Sequence, residues 1–190
     1  MFSILDEALS MDSATHRVPQ SELDRRIVDL ARYAERLRPD GILYTCSAFG
    51  EGIEQAARTS KLPVHKPNEA MFDAAFSYGN NIAMIYTFPP SVEGMEREFY
   101  ETAQLKKSKA KLRSVFAEGA RDALEAGDGE KHNTLIADVA TDLAARVDAI
   151  LLAHFSMASA AHAVRRSVDI PVLTSPESAI EKMKRCVLEH

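Results

Sequence analysis

Short apolar runs alternate along this chain with longer stretches in which apolar residues recur every three or four positions. Short runs are typical of buried strands, and the longer stretches are typical of helices with one buried face. Their alternation predicts parallel sheets covered by helices. The predicted strands are Phe2–Leu5, Gly41–Thr45, the region of Val64, Asn81–Tyr86, Arg113–Phe116, Ala149–Ala153 and Val172–Leu173. The predicted helices are Gln20–Leu37, Gly50–Thr59, Asn68–Tyr78, Val92–Ala110, His132–Ala145, Met157–Ser167 and Pro176–Val187.

This pattern occurs twice. Asp40 and the apolar run after it lead to Cys46, and Asp148 and a similar run lead to His154. Pro63 aligns with Pro171 at the same offset of 108 positions, without a gap. Solenoid repeats have periods of about 20–50 residues, so a period of this length indicates two similar α/β halves.

The repeat predicts an α/β fold with two pseudo-symmetric lobes, each a small parallel sheet flanked by helices. Residues 79–112 supply a strand and a helix ahead of the second copy, and nothing equivalent precedes Phe2, so the first lobe is expected to lack its first β-α unit. We expect an N-terminal lobe over 1–78 and a C-terminal lobe over 79–175. Residues 176–187 are predicted to form a helix that packs back on the N-terminal lobe. Residues 188–190 resemble the remnant of an affinity tag.

Composition narrows the classes of function. A net charge of −5 argues against a nucleic-acid partner, because phosphate binding requires a basic face. The sequence contains no run of 18 apolar residues that would predict a membrane span, and its first residues show no signal-peptide pattern. Cys46 and Cys186 are too few to form a disulfide framework, so we expect a cytoplasmic protein.

Cys46 and His154 carry the strongest chemical signal. Each follows an apolar strand and precedes a helical stretch, which places it at the carboxyl edge of a parallel sheet, where ligands bind. A helix N-terminus favours the thiolate form of a cysteine. Two acid/base groups on opposite faces of a carbon are what a stereoinverting proton transfer requires. The alternatives are a small buried core cysteine and a core or capping histidine.

Polar groups at the other strand ends form a candidate carboxylate cradle, since hydroxyls and N–H groups at helix starts bind anions. Each hydroxyl could equally be a plain helix cap. Asp6 could hold a cationic group of the substrate or act as a second base, or be an ordinary loop carboxylate. The sequence contains no closely spaced pair of Cys or His residues that would predict a metal site, and no glycine-rich fingerprint that would predict a nucleotide site. The predicted substrate-binding residues are Asp6, Thr45, Ser47, Ala48, Thr87, Ser91, Ser156 and Met157.

These motifs resemble the aspartate/glutamate racemase superfamily, which also holds hydantoin racemases, maleate isomerases and arylmalonate decarboxylases. The run from Ile42 to Ser47 is similar to the first cysteine motif of that family. The run from Ala149 to His154 is similar to the second cysteine motif. The run from Tyr86 to Ser91 is similar to the threonine-rich loop of the family, and the run from Pro171 to Pro176 is similar to its closing strand and helix. The chain departs from the family in having His154 where the second cysteine normally stands.

The resemblance implies two lobes with four-stranded parallel sheets, an active site between them and no cofactor. Cys46 then takes the role of the first thiol. Carboxylate-binding roles fall to Thr45, Ser47, Thr87, Ser91 and Ser156. The single-cysteine decarboxylases of the superfamily are understood to keep the second cysteine, whereas this chain keeps the first.

We therefore expect a cofactor-independent racemase or isomerase acting on a small carboxylate or amino-acid-like substrate, with Cys46 and His154 exchanging protons. Two alternatives stay open. One is a lyase or decarboxylase in which Cys46 is a nucleophile, and the other is a catalytically silent binding or regulatory protein. An exposed sheet edge in the incomplete lobe also predicts a homodimer.

Overall fold

The computed structural model describes residues 2–188 and divides them into two compact units. One unit comprises the residues up to Lys66 together with those from Met183 onward, and the other comprises Pro67–Lys182. No helix among the described residues is long and apolar enough to cross a membrane. Two residues of the predicted tag remnant, Glu189 and His190, lie outside the described residues.

The first unit contains a two-stranded parallel sheet and three helices packed around a small core. Ile42 pairs with Val64 and Leu43 with His65. The two longer helices pack on each other through an apolar face that recurs every three or four residues. Its elements are α1 Ala8–Thr15, α2 Gln20–Arg36, β1 Ile42–Leu43, a 3-10 helix Ser47–Phe49, α3 Gly50–Thr59 and β2 Val64–His65.

The second unit is built on a four-stranded parallel sheet with the strand order β4-β3-β5-β6. Its strands are β3 Asn81–Tyr86, β4 Lys111–Phe116, β5 Ala149–Leu152 and β6 Val172–Thr174. Its helices are α4 Glu69–Ala75, a 3-10 helix Pro89–Ser91, α5 Val92–Leu105, α6 Ala120–Glu125, α7 Gly129–Ala144, a 3-10 helix Phe155–Ala160, α8 Ala161–Ser167 and α9 Ser175–Leu188.

Helices cover both faces of this second sheet, as the near-continuous apolar runs of β3 and β5 require. Successive side chains of a strand point to opposite faces. Ile82 and Met84 face a cluster with α4 and α5, whereas Ala83 and Ile85 face a cluster with α7 and α8. The sheet is therefore the middle layer of three.

The internal repeat reappears in the hydrogen bonding of the strands. Ile42 pairs with Val64 in the first unit, and Ile150 pairs with Val172 in the second, at the offset of 108. The N–H of Ile42 donates to the Pro63 carbonyl at 2.8 Å, and the N–H of Ile150 donates to the Pro171 carbonyl at 2.9 Å. The α/β class and the two small parallel sheets are confirmed.

The predicted strand Phe2–Leu5 is wrong, because these residues form no strand in the structure. At the offset of 108 the segment is the counterpart of β4, and β4 pairs only with β3. A segment that pairs with no other strand has no ladder to join, and Phe2 and Leu5 are exposed.

Other boundaries differ because turns end the elements early. The helix predicted over Val92–Ala110 stops at Leu105, since Lys107 adopts a φ of +54°. The helix predicted over Asn68–Tyr78 is the shorter α4, and α1 and α6 were not predicted. The compact units divide at Lys66 and Pro67, so α4 belongs with the second unit, whereas the boundary predicted from sequence lies at 78.

The C-terminal helix α9 begins in the second unit and ends among residues of the first. Gly41 lies directly against Met183 near the end of this helix. A Cβ at Gly41 would lie 2.6 Å from the Met183 Sδ and 3.1 Å from the Pro63 carbonyl oxygen, so a larger residue would require the Met183 side chain to shift. The equivalent position in the second unit is the buried Ala149.

Candidate active site

His154 stands where a buried strand gives way to a helical turn. The N–H of Ala153 still donates to Ile85 of the neighbouring strand at 3.0 Å, so the sheet continues up to His154. His154 itself is extended, and its carbonyl accepts from the N–H of Met157 at 3.0 Å, which starts the following 3-10 helix. The ring thus lies at the carboxyl edge of the sheet, as predicted.

Two hydroxyls from the end of β3 hold the imidazole. Thr87 Oγ1 lies 3.3 Å from Nδ1 and Ser91 Oγ lies 3.0 Å from Nε2. The Ser91 hydroxyl donates its one proton to the Phe88 carbonyl at 2.8 Å, so toward the ring it can only accept. Nε2 therefore carries the ring proton in the neutral form, and Nδ1 accepts from Thr87. The structure brings together His154, Thr87 and Ser91, all three predicted as site residues.

The imidazole is neutral at pH 7. Burial, and to a smaller extent the positive charge of Arg121, lower the pKa of His154 to about 4. Desolvation disfavours the charged form of a histidine, and a nearby cation adds to that effect. A neutral ring accepts protons and donates only from Nε2.

Arg121 and Phe88 belong to this region and were not predicted. The Arg121 guanidinium carbon lies 4.5 Å from the centroid of the Phe88 ring, within the range of a cation–π interaction. Phe88 lies between Thr87 and Ser91, and Arg121 is the second residue of α6. The signal that could have indicated Arg121 is its position shortly after the end of a strand. It was missed because the helix α6 was not predicted.

Cys46 lies in the first unit, directly ahead of the 3-10 helix Ser47–Phe49 that leads into α3. Its backbone is extended, with φ −118° and ψ 125°, and the thiol is exposed. Thr45 and Ala48 beside it are also exposed, and of Ser47 the structure describes the backbone. The predicted strand-to-helix junction is therefore present at both Cys46 and His154.

Asp6 is engaged by another side chain of the first unit. Its carboxylate forms a two-oxygen ion pair with Arg26 at 2.5 Å and 2.6 Å, and Arg26 also binds Asp12 at 2.7 Å. Asp6 Oδ1 also accepts from the N–H of Ala8 at 3.1 Å. A substrate cation at Asp6 would have to displace Arg26 from a bidentate pair.

The two predicted residues after His154 differ in exposure. Ser156 is exposed, and its carbonyl accepts from the Ser159 hydroxyl at 3.1 Å. The Met157 side chain is fully buried in the core between the sheet and α7. Met157 therefore supports the turn by packing, and its side chain is not on the surface.

A buried polar network next to His154 also escaped the sequence analysis. The Ser175 hydroxyl lies 2.6 Å from Asn68 Oδ1 and 3.4 Å from the Ala153 carbonyl. Both Ser175 and Asn68 are almost fully buried. The network ties the starts of α4 and α9 to the end of β5, which positions the residue after Ala153.

No group of three or more His, Cys, Asp or Glu residues within the described range 2–188 is arranged to hold a metal ion. The second unit instead places a histidine beside two hydroxyl groups. The features that remain for chemistry there are a neutral histidine, two hydroxyls and one arginine.

Comparison with solved structures identifies similar folds at low sequence identity. Glutamate racemase RacE1 from Bacillus anthracis matches with a TM-score of 0.68 at 12% identity, covering 90% of this chain and 66% of that one. Allantoin racemase from Klebsiella pneumoniae matches with a TM-score of 0.70 at 14% identity, covering 89% and 68%. A variant of arylmalonate decarboxylase matches with a TM-score of 0.62 at 16% identity, covering 89% and 76%.

The chain thus spans about two thirds of the length of the two racemases. At these identities the likeness shows the fold alone. A search of curated protein sequences finds no match. The family model of the Asp/Glu/hydantoin racemases matches residues 7–183, nearly the whole chain. This match includes the strand ends at Cys46 and His154. The chain therefore belongs to the Asp/Glu/hydantoin racemase family.

Proposed function

We propose that the protein is a cofactor-independent isomerase of the racemase type, which moves a proton at a carbon next to a carboxylate. Cys46 and His154 are the two proton-transfer groups of this proposal. The observation that carries it is the repeat: both residues end equivalent strands, which pair with their neighbours in the same register. Family membership supports the general class of reaction.

The proposed cycle follows from the protonation state of His154. Because the pKa of the ring is about 4, the ring is the base form at neutral pH and takes the α-proton. The C–H electron pair moves into the carboxylate-stabilised enolate. The Cys46 thiol then returns a proton to the carbon, and the electron pair forms the new C–H bond. In the reverse direction the thiolate takes the proton and the imidazolium returns it.

Thr87 and Ser91 have two roles in this proposal. Their hydroxyls orient the ring, since each contacts one ring nitrogen. To accept a proton at Nδ1 the ring must give up the Thr87 contact, which is the longer of the two at 3.3 Å. The released Thr87 hydroxyl can then donate to a substrate carboxylate.

Solvent deuterium incorporation tests the proposal. The panel comprises amino acids, hydantoins, maleate and arylmalonates, and mass spectrometry and NMR follow exchange at the α-carbon. We expect exchange by the wild type and a loss of about 10²-fold or more in Cys46→Ala and in His154→Gln. Cys186→Ala, which removes the other cysteine, is the matched control and should retain full activity. Unchanged exchange in both site variants would refute the assigned roles.

A carboxylate-binding protein without turnover is the second candidate. The observation that favours it is that both ring nitrogens of His154 already contact hydroxyls, while burial opposes the charged ring. This candidate predicts calorimetric binding of a panel compound with no deuterium exchange. Release of CO₂ from an arylmalonate would instead indicate a decarboxylase, the lyase alternative.

A further inference from the structure

The outer edge of β1, on the side away from β2, carries backbone groups that have no partner strand. The N–H groups of Ile42 and Tyr44 donate to the carbonyls of Pro63 and His65 on the β2 side. Alternate residues of a parallel strand direct their backbone groups to opposite edges, so Leu43 directs its N–H and C=O away from β2. No strand within the described range 2–188 pairs with β1 at that edge. An open strand edge is a template for pairing with another chain.

The internal repeat shows which kind of strand fits this edge. The counterpart of β1 is β5, which has the parallel strand β3 on the equivalent side. The N–H groups of Asp148 and Ala153 donate to carbonyls of β3 at 2.7 Å and 3.0 Å. Their counterparts at the offset of 108 are Asp40 and Thr45, whose N–H groups form no backbone hydrogen bond with any described residue. The strand that fits is therefore parallel to β1, in the register of β3 on β5.

An aspartate at the start of each copy of the repeat receives the beginning of the neighbouring strand. In the second unit, Asp148 Oδ2 accepts from the N–H groups of Asn80 and Asn81 at 2.9 Å and 2.7 Å. A Cβ at Gly79, just before them, would overlap the Asp148 carboxylate, so the strand start approaches this carboxylate closely. The counterpart Asp40 is half-buried, and its carboxylate has no hydrogen bond or ion pair within residues 2–188. The first unit thus holds the same receptor for backbone N–H groups, and its carboxylate is unused.

The surroundings of β1 favour an apolar strand. At the offset of 108, α2 and α3 are the counterparts of α7 and α8, the helices against which Ala83 and Ile85 of β3 are buried. Ile42 and Tyr44 of the first unit already pack with residues of α2 and α3. Leu43 is half-buried and belongs to none of the buried clusters. An added apolar strand would extend the cluster on one face of β1 and cover Leu43 on the other.

We propose that the outer edge of β1, together with Asp40, binds an extended apolar segment of another polypeptide chain as an additional parallel strand. This is recognition by strand addition, in which backbone hydrogen bonds supply affinity and alternate side chains supply specificity. The segment pairs as β3 does on β5, so that Leu43 lies opposite the equivalent of Met84. Its first two N–H groups donate to the Asp40 carboxylate. This interaction surface is independent of the proposed proton transfer.

A peptide with the sequence of residues 79–87 is the probe, because this segment contains β3 and fills the equivalent edge of the second unit. NMR of the isotope-labelled protein follows amide hydrogen exchange as the peptide is added. At a peptide concentration ten times its Kd, exchange at Leu43 and Thr45 should slow about tenfold. Exchange at Leu151 and Ala153 should not change, since β3 already occupies their edge.

A second peptide, with proline in place of Ala83, is the matched control for strand pairing. The carbonyls of Asn81 and Ile85 accept from the β5 side, so by alternation Ala83 also directs its N–H to that side. Proline removes this N–H group and cannot join the ladder there. The proline peptide should therefore bind at least about tenfold more weakly than the first peptide.

Asp40→Ala tests the carboxylate. We expect it to weaken binding of the first peptide by about 10- to 100-fold, as the loss of charge-assisted hydrogen bonds does. Glu51→Ala removes another carboxylate of the same unit, an exposed one on α3, and should bind the peptide as the wild type does. Circular dichroism checks that both variants are folded, and the proline peptide tests the edge without any change to the protein.

Three results would overturn the proposal. The first is a folded wild type that binds neither peptide, and the second is equal binding of the two peptides. The third is a protein that forms dimers as its concentration rises, with Leu43 already protected from exchange before any peptide is added. Light scattering detects these dimers, which would show that a second copy of this chain covers the edge. None of these readouts depends on catalysis, so the proposed function can fail while the strand-binding edge is supported.

Discussion

The strands β1 and β5 have nearly the same sequence and the same pairing to a neighbouring strand, yet they differ in burial. Ile150 and Leu151 of β5 are fully buried, whereas Ile42 and Leu43 of β1 are only half-buried. The difference comes from the other edge of each strand. In the second unit Leu151 pairs with Met84 of β3, but no strand among the described residues pairs with that edge of β1.

The comparison teaches that a repeated sequence gives a repeated local structure, while neighbours determine how much stability it contributes. Alternate residues of a parallel strand direct their N–H and C=O groups to opposite edges. Ile42 points its groups toward β2, and Leu43 points its groups to the unpaired edge. A two-stranded sheet is only marginally stable without further packing, so we expect the first unit to open more readily than the second.

The largest expected effect comes from truncating equivalent isoleucines. Ile150→Ala should lower the free energy of unfolding by about 2–5 kcal/mol, because it leaves a cavity in a fully buried core. Ile42→Ala, the equivalent change in the first unit, should cost only about 1 kcal/mol because that side chain is half-buried. Urea denaturation of both variants measures the difference. Equal costs would show that the unpaired edge of β1 is covered in solution.

The second effect is a pH dependence specific to the second unit. The folded pKa of His154 is about 4, below the unfolded value of about 6.5. Between these values the unfolded state binds more protons, so stability is fully present above pH 6.5 and falls as the pH is lowered toward 4. The loss should reach about 2–3 kcal/mol at most, reduced by the partial exposure of the ring.

Denaturation at pH 7.5 and at pH 5, with the wild type and His154→Gln, measures this loss. The variant should show a clearly smaller decrease between the two pH values. His162→Gln removes an exposed histidine of α8 and is the control. If the wild type and His154→Gln lose the same stability, the ring is not the buried neutral group that the structure describes.

Much of the second unit could be predicted from its sequence because its central strands, β3 and β5, are buried on both faces. A continuous apolar run such as Asn81–Tyr86 is unambiguous, and the prediction matches β3 at both ends. Phe2–Leu5 is also largely apolar, but the strand predicted there does not form, since composition reports a preference for strand and cannot supply the partner that a strand requires. Tertiary pairing decided between the two segments.

Of the site, the sequence indicated the strand ends and the hydroxyls of Thr87 and Ser91, because these follow apolar runs directly. It could not indicate Arg121 or Asn68. Each reaches its place through a tertiary contact, Arg121 with Phe88 and Asn68 with Ser175, which no local pattern records. The other predicted substrate contacts, the homodimer and the cytoplasmic location stay predictions.

A smaller effect concerns how closely helices pack in the first unit. A Cβ at Gly52 of α3 would lie 3.0 Å from both Asp24 Cα and Ile27 Cβ of α2. Gly52→Ala should therefore force the two helices apart and cost about 1–3 kcal/mol. Gly50→Ala in the same helix is the control, since its Cβ meets nothing within 4 Å. That change should be neutral or stabilise the helix by up to about 1 kcal/mol. If Gly50→Ala were also destabilised, the loss of stability in Gly52→Ala would come from the helix itself and not from the close packing of the two helices.

The smallest effect concerns the edge of the second sheet at β4, which the Tyr100 side chain partly covers. The N–H of Leu112 on the edge strand β4 donates to the Tyr100 hydroxyl at 3.2 Å, so a side chain of α5 occupies a position that another strand could use. Tyr100→Phe should cost less than about 1 kcal/mol, because water can take the place of the hydroxyl at this exposed site. Amide exchange at Leu112 should accelerate, and the variant should associate more at high concentration. Tyr78→Phe, at another exposed tyrosine of the unit, should change neither. If Tyr100→Phe matches that control in both measurements, the hydroxyl does not protect β4. The contrast between a strand edge covered by a side chain in the second unit and an unpaired strand edge in the first would then be wrong.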